Sequence, residues 1–196
     1  VTEITGEIDI IMQTGIYDIH IDKDGYQPVM IGNVFLSENV NLDTVMLSPG
    51  GSLTLNGDIS GTLLSSNVHF VEGDVTVPSG DTLVIQAGTL IKFLGNYTFT
   101  ANGPVFAEGS EENHIVFTSG KPTVLEGDWK RIVLNNAPGS VFRYCDFSLA
   151  ENGIYLTESD STEISHCTYE RHLTGAYAVY DEGNGSNQNL IINYNE

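Results

Sequence analysis

One stretch of this sequence is written twice. Val-Phe-Arg-Tyr-Cys-Asp-Phe-Ser at 141–148 is answered by Glu-Ile-Ser-His-Cys-Thr-Tyr-Glu at 163–170. Phe142 and Ile164, Tyr144 and His166, Cys145 and Cys167, Phe147 and Tyr169, Gly153 and Gly175, and Tyr155 and Tyr177 all stand 22 residues apart. A fixed offset shared by so many pairs marks a solenoid repeat, whose units bury their apolar side only against neighbouring copies. Apolar, β-branched and aromatic residues alternate in short runs between Gly, Asn, Ser and Asp, which is the pattern of strands. The alternation changes phase once, because Phe142 and Cys145 are an odd number of positions apart and would lie on opposite faces of a straight strand. A corner at 143–144, and at 165–166 in the next copy, turns both inward. Short strands, corners and a 22-residue period describe one coil of a parallel β-helix, with coils stacked at about 4.8 Å.

Such stacking puts like residues in columns, Cys145 over Cys167 among them. Their Cα atoms would fall within disulfide range, roughly 4.4–6.8 Å. Inward side chains on neighbouring parallel strands point the same way, so two buried free thiols are expected in preference to a disulfide.

The formal charge of −19, from 7 Lys plus Arg against 26 Asp plus Glu, would repel nucleic-acid phosphates and argues against such a partner. It suits an extracellular, saline or calcium-rich setting, and is read as a solvated acidic surface in preference to specific cation binding. No run of about 18 apolar residues is present, so no membrane span is expected. The chain opens in mid-pattern at Val1-Thr2-Glu3-Ile4 and stops at Asn195-Glu196 just after a strand-like Leu-Ile-Ile-Asn-Tyr, and both ends read as cuts through a longer protein. Asn96-Tyr97-Thr98 and Asn184-Gly185-Ser186 fit the short N-glycosylation pattern.

Taken in order, residues 1–48 read as strands at Glu7–Met12, Ile16–Ile21, Gln27–Val34 and Leu42–Leu47, with a turn at Asp24-Gly25. Through Gly15-Ile16-Tyr17, Lys23-Asp24-Gly25-Tyr26, Asn33-Val34-Phe35-Leu36 and Leu42–Leu47, this part resembles the second half of a carboxypeptidase-regulatory-like β-sandwich. That resemblance implies a non-catalytic spacer of secreted proteins. Asp22-x-Asp24-Gly25 lacks the later ligands of a calcium loop and is read as a hairpin turn. Ser48-Pro49-Gly50-Gly51-Ser52 is the domain boundary, with linker and capping strands over 49–66. Residues 67–196 are the β-helix, read as truncated at its C-terminal end.

From Gly73 the motifs run Gly73-Asp74-Val75-Thr76-Val77-Pro78-Ser79-Gly80-Asp81-Thr82-Leu83, Ile85–Phe93, Ala101–Gly109, Ile115–Ser119 and Gly127-Asp128-Trp129-Lys130-Arg131-Ile132. In this order they resemble the right-handed parallel β-helix proteins of bacterial secreted and surface polypeptides, over about residues 60–196. The resemblance implies a fold and not an activity, because that family spans polysaccharide lyases, hydrolases and adhesins.

Chemistry is sparse. A lyase needs a neutraliser for the uronate and a Lys or Arg base, and a hydrolase needs two carboxylates at a set separation. At the 22-residue offset Asp146 falls over Thr168, Arg143 over Ser165 and Glu151 over Leu173, so no acid stands over an acid. Glu170-Arg171-His172 is the densest ionisable cluster, with Asp146 and His166 placed to lie near it, and it is read as a solvated corner in preference to a proton-transfer site. His166 over Tyr144 reads as a corner stack. His20, His69 and His114 are scattered without metal-ligand spacing, so no metal site and no catalytic residue is assigned. Trp129 reads as a packing residue at a coil corner. Tyr155 over Tyr177, both pointing outward, are candidate stacking platforms for sugar rings, or else a self-packed ladder. The loop over 181–189 carries oxygen ligands enough for a weak calcium site but no recognised ligand register, so no cofactor is assigned and calcium is the one the sequence admits. The expected function is a structural or adhesive element of a secreted or cell-surface protein, binding polysaccharide or assembling with itself. The alternatives are a polysaccharide lyase or hydrolase with its groove on coils beyond residue 196, and a subunit of an extracellular filament or surface layer.

Overall fold

The computed structural model describes residues 14–21, 29–36, 51–173, 179–181 and 187–195. The chain divides into two units, 1–49 and 50–196. In the first, β1 (Gly15–Ile21) and β2 (Val29–Leu36) pair antiparallel, with an irregularity between Tyr17 and Ile19. These are two of the strands expected there. The other two, at Glu7–Met12 and Leu42–Leu47, and the Asp24-Gly25 turn lie outside the described residues.

The second unit is a parallel β-helix of six coils and three faces, with no helix among the described residues. Residues 51–63, read from sequence as linker and capping strands, form its first coil. That coil comprises β3 (Gly51–Asp58), which lies along two faces, and β4 (Gly61–Leu63) on the third. β5 (Asn67–Val77) again covers two faces, and β6 (Leu83–Ile85) the third. Each later coil has one strand per face. The first face carries β7 (Leu90–Phe93), β10 (Ile115–Ser119), β13 (Cys145–Ser148) and β16 (Thr168–Glu170). The second carries β8 (Thr98–Ala101), β11 (Arg131–Asn135), β14 (Ile154–Thr157) and β17 (Val179–Asp181). The third carries β9 (Val105–Glu108), β12 (Val141–Arg143), β15 (Glu163–Ser165) and β18 (Ile191–Asn193).

The expected columns form. Phe142, Cys145 and Phe147 all point into the bore and are fully buried, as are Ile164 and Cys167 in the next coil. On the first face, Phe117, Phe147 and Tyr169 stack coil on coil with ring centroids 5.0 Å apart at each step. Each fully buried aliphatic or aromatic side chain contributes roughly 1.5–3 kcal/mol against exposure, so the bore supplies most of the stability. Trp129 is buried where the chain re-enters the second face; its ring lies parallel to Phe93 at 4.2 Å, and Nε1 donates to the Ser148 carbonyl at 2.7 Å. Both cysteines are free. Burial pushes the Cys145 thiol well above its usual range.

The corners explain how one strand phase becomes the next. Tyr144, His166 and Tyr194 occupy the same corner of successive coils with φ of 50°, 54° and 52°. Leu149 and Arg171, Asn136 and Glu158, and Gly139, Ser161 and Asn189 repeat the device at other corners. Left-handed backbone costs a non-glycine residue roughly 1–2 kcal/mol, so a stacked partner must hold it. The partner is the following coil: Tyr144 N–H donates to Ser165 O at 3.1 Å, Leu149 to Glu170 O at 3.2 Å and Asn136 to Thr157 O at 2.9 Å. Gly103 serves a different need. A Cβ there would overlap the Asp81 and Pro78 carbonyls of the preceding coil.

The 22-residue period holds for Ile132 under Ile154, Val141 under Glu163 and Asp146 under Thr168. It holds as well for Gly61 under Leu83, Leu83 under Val105 and Val68 under Leu90. At other steps loops lengthen the coil: Thr98 pairs with Arg131, 33 positions on, and Tyr155 with Tyr180, 25 positions on.

Candidate functional site

The outer surface of the first face carries a row of polar side chains over a shallow hollow. β10, β13 and β16 present alternate residues outward, and parallel pairing aligns them in rows across the strands. Val116, Asp146 and Thr168 form one row; Thr118, Ser148 and Glu170 form the next. Thr168 Oγ1 donates to Asp146 Oδ1 at 2.6 Å, and His114 Nδ1 lies 2.9 Å from the same oxygen. An ionised carboxylate only accepts, so Nδ1 carries the hydrogen and Nε2 is left as the other polar atom of the ring. Thr118 and Ser148 share a hydrogen bond of 2.8 Å. Together His114, Asp146, Ser148, Thr168 and Glu170 line a shallow hollow of about 300 Å³.

A second hollow of about 200 Å³ adjoins it, sharing His114 and Thr168. It is walled by the corner ladder. His114 lies 5.6 Å from Tyr144, Tyr144 stacks on His166 at 4.6 Å, and His166 stacks on Tyr194 at 4.9 Å. The stacked faces are spent on one another, and the hollow is walled by these rings at the corner where the left-handed residues turn the chain.

The sequence-derived cluster is therefore divided. Asp146 and Glu170 line the first hollow, and His166 lines the second. Arg171 is an exposed corner residue at φ 53° and lines neither. His172 is turned toward Tyr169, their rings 6.0 Å apart. Burial holds its imidazole below the usual range, against the raising effect of the Ala150 and Phe147 backbone, to which neither nitrogen makes a well-aligned hydrogen bond. His114, Tyr144 and Thr168 were not singled out as site residues from sequence. His114 stands 32 residues from Asp146 because the coil between Ile115 and Cys145 takes 30 residues, so no 22-residue comparison could pair them.

Tyr155 does point outward, since Ile154 and Leu156 are fully buried, but it is not an open platform. Tyr177 lies outside the described residues, and the ring against Tyr155 is Tyr180, at 4.8 Å. The guanidinium of Arg131 stands 4.5 Å over the Tyr155 ring. Among the described residues Tyr155 is packed against Tyr180 and Arg131, and the expected pairing with Tyr177 lies outside them.

The remaining described ion pairs hold the fold. Arg143 grips Glu163 through two bonds, Nε to Oε1 at 3.0 Å and Nη2 to Oε2 at 2.7 Å, and reaches Glu108 through Nη1 at 3.2 Å. This fork holds the Glu163 carboxyl below its usual range and raises the guanidinium. Asp128 is buried in the long loop before β11. Burial alone would raise its carboxyl, but the Leu125 N–H, the Ser119 hydroxyl and Lys121 Nζ, at 2.9, 2.7 and 3.0 Å, outweigh it and lower it. No group of three or more His, Cys, Asp or Glu with metal-binding geometry occurs among the described residues. Likewise no helix among them is long and apolar enough to cross a membrane.

No curated protein and no solved structure matches the chain. Residues 55–140 match the family model described as a pectate-lyase like beta helix domain, which is the family this part of the chain is similar to.

Proposed function

We propose that this chain is a non-catalytic structural and adhesive β-helix of the secreted or cell-surface kind, which binds a glycan along the outer strip of its first face. The observation that carries this reading is where the outward ionisable groups go. Arg143 bonds to acids on the coils before and after its own, His114 and Thr168 both bond Asp146, and Arg131 covers Tyr155 while its Nη2 lies 3.7 Å from Glu151. Charges used to tie coil to coil suit a rigid rod. The two adjoining hollows supply hydroxyl and carboxylate partners for sugar hydroxyls, beside ring edges of the corner ladder. The match over 55–140 to a family whose name refers to a polysaccharide-cleaving enzyme supports a polysaccharide partner. The N-terminal unit is read as a spacer of the carboxypeptidase-regulatory-like kind.

A second reading, a polysaccharide lyase or hydrolase, is favoured by one feature: the first hollow holds an aspartate-bound histidine and a separate glutamate. Retention on a panel of insoluble polysaccharides, assayed alongside release of reducing or unsaturated sugar, separates the two. Retention without product is expected. Product formation that Asp146→Asn abolishes would replace the binding reading with the enzymatic one.

A further inference from the structure

We infer that the first coil, β3 and β4, is an acid-released layer of the β-helix, and that His69 is the residue that releases it. The inference is independent of the glycan reading above. His69 stands in the bore of the second coil, in register between Leu53 of β3 and Ile91 of β7, and is fully buried. Within the second unit the first coil is the only layer on one side of it, because β3 pairs with β5 and β4 with β6.

The ring is held in one neutral form. A backbone carbonyl only accepts, so the 3.0 Å contact with Leu64 O places the hydrogen on Nε2 and leaves Nδ1 bare. Leu64 belongs to the corner that leads from β4 into β5, so this bond ties the ring to the chain leaving the first coil. A second proton must go to Nδ1, which has no partner in the bore. The inward positions around it are apolar, with Leu55 on β3, Leu63 on β4, Ile85 on β6, and Ile91 and Phe93 on β7. The ionisable residues of these strands and of β5 face elsewhere: Asp58, Glu72 and Asp74 are exposed, and Lys92 alternates to the outer surface between buried Ile91 and Phe93. An imidazolium in the bore would have neither a counter-charge nor an acceptor at Nδ1. Burial therefore holds the ring below its ordinary value, against the raising effect of the Leu64 bond.

Water reaches Nδ1 at least cost by lifting the first coil, which parts one ladder on each face. Hydration from the other side would part β5 from β7 and from the coils stacked beyond it. With the coil lifted the ring titrates near 6.5, and with the coil closed it titrates lower. Below 6.5 the open form therefore binds more proton and gains on the closed one. The opening constant rises by at most about tenfold per pH unit, or about thirtyfold between pH 8 and pH 5. Lifting also uncovers the edges of β5 and β6, whose backbone groups then lie open for strand pairing.

The test is hydrogen exchange of the intact chain at pH 5, 6.5 and 8, corrected for the intrinsic pH dependence of amide exchange. Protection over residues 51–58 and 61–63 should fall between about fivefold and thirtyfold from pH 8 to pH 5, while 105–108 and 131–135 in the middle coils stay within about twofold. Residues 168–173 are no reference, because burial lowers the His172 imidazole as well. His69→Leu should abolish the pH dependence over 51–63. His69→Gln, which keeps a donor for the Leu64 carbonyl, should do the same and serves if the leucine variant misfolds. Protection over 51–63 that is flat with pH would overturn the inference. An equal acid loss in the middle coils would make the transition global and overturn it too, and a pH dependence that survives both variants would take the role from His69.

Discussion

At the residue scale, two buried polar side chains modulate the stability of the β-helix, and each makes a prediction. Asp128 receives three donors that lose their acceptor if it is truncated, so Asp128→Ala should cost about 2–3 kcal/mol in urea melts, with Asp128→Asn recovering part. A loss below about 0.5 kcal/mol would mean that the loop is held by other contacts. Because the Asp128 carboxyl is held below its unfolded value, its contribution is present above that value and lost as pH falls through the lower, folded one. His69 works in the same direction at a higher pH. It is fully buried, Nε2 lies 3.0 Å from the Leu64 carbonyl and Nδ1 has no partner. Burial holds its imidazole below 6.5, so the unfolded chain takes up the proton first and stability falls as pH drops below about 6.5. His69→Leu should flatten the dependence of Tm on pH between 5 and 6.5, and an unchanged slope would place the titrating group elsewhere. At this scale the sequence was readable wherever residues repeat at 22, as with Cys145 over Cys167. It was silent on His114, whose partner depends on the length of one loop.

At the element scale, the unit of structure is a short strand ended by a left-handed corner. Glu158 is an exposed corner residue at φ 49°, so Glu158→Gly should stabilise by about 0.5–1 kcal/mol, the strain relieved less the extra entropy of glycine. Destabilisation by the same amount would show that the Glu158 side chain contributes more than its backbone costs. The aromatic column makes the opposite case. Phe117 is fully buried against Phe147, Phe99 and Phe142, and Phe117→Ala should cost about 3–5 kcal/mol. A much smaller loss would mean that the bore collapses around the gap. The corner at 143–144 was legible because Phe142 and Cys145 both had to face inward. The residues that occupy the other corners were not, because Leu149, Glu158 and Arg171 have no intrinsic preference for left-handed backbone; Leu149 is held there by its bond to Glu170 of the next coil.

At the scale of the whole molecule, the second unit is a stack of six coils whose period shows in sequence only where the loops are shortest. The repeat at 141–170 identified the architecture. The coil from Thr98 to Arg131 has the same three faces but hides them behind a long loop, and the pairing of Tyr155 with Tyr180 followed from a similar lengthening. Function belongs to this scale too, because the outer strip exists only when β10, β13 and β16 lie side by side. Its location is tested most directly by hydrogen exchange of the intact chain with and without a soluble oligosaccharide of whichever polysaccharide retains it. The account predicts slowed exchange over residues 114–118, 144–148 and 166–170, with 131–135 and 154–157 unchanged. Protection centred on 131–135 and 154–157, around Arg131 and Tyr155, or on no segment at all, would contradict it.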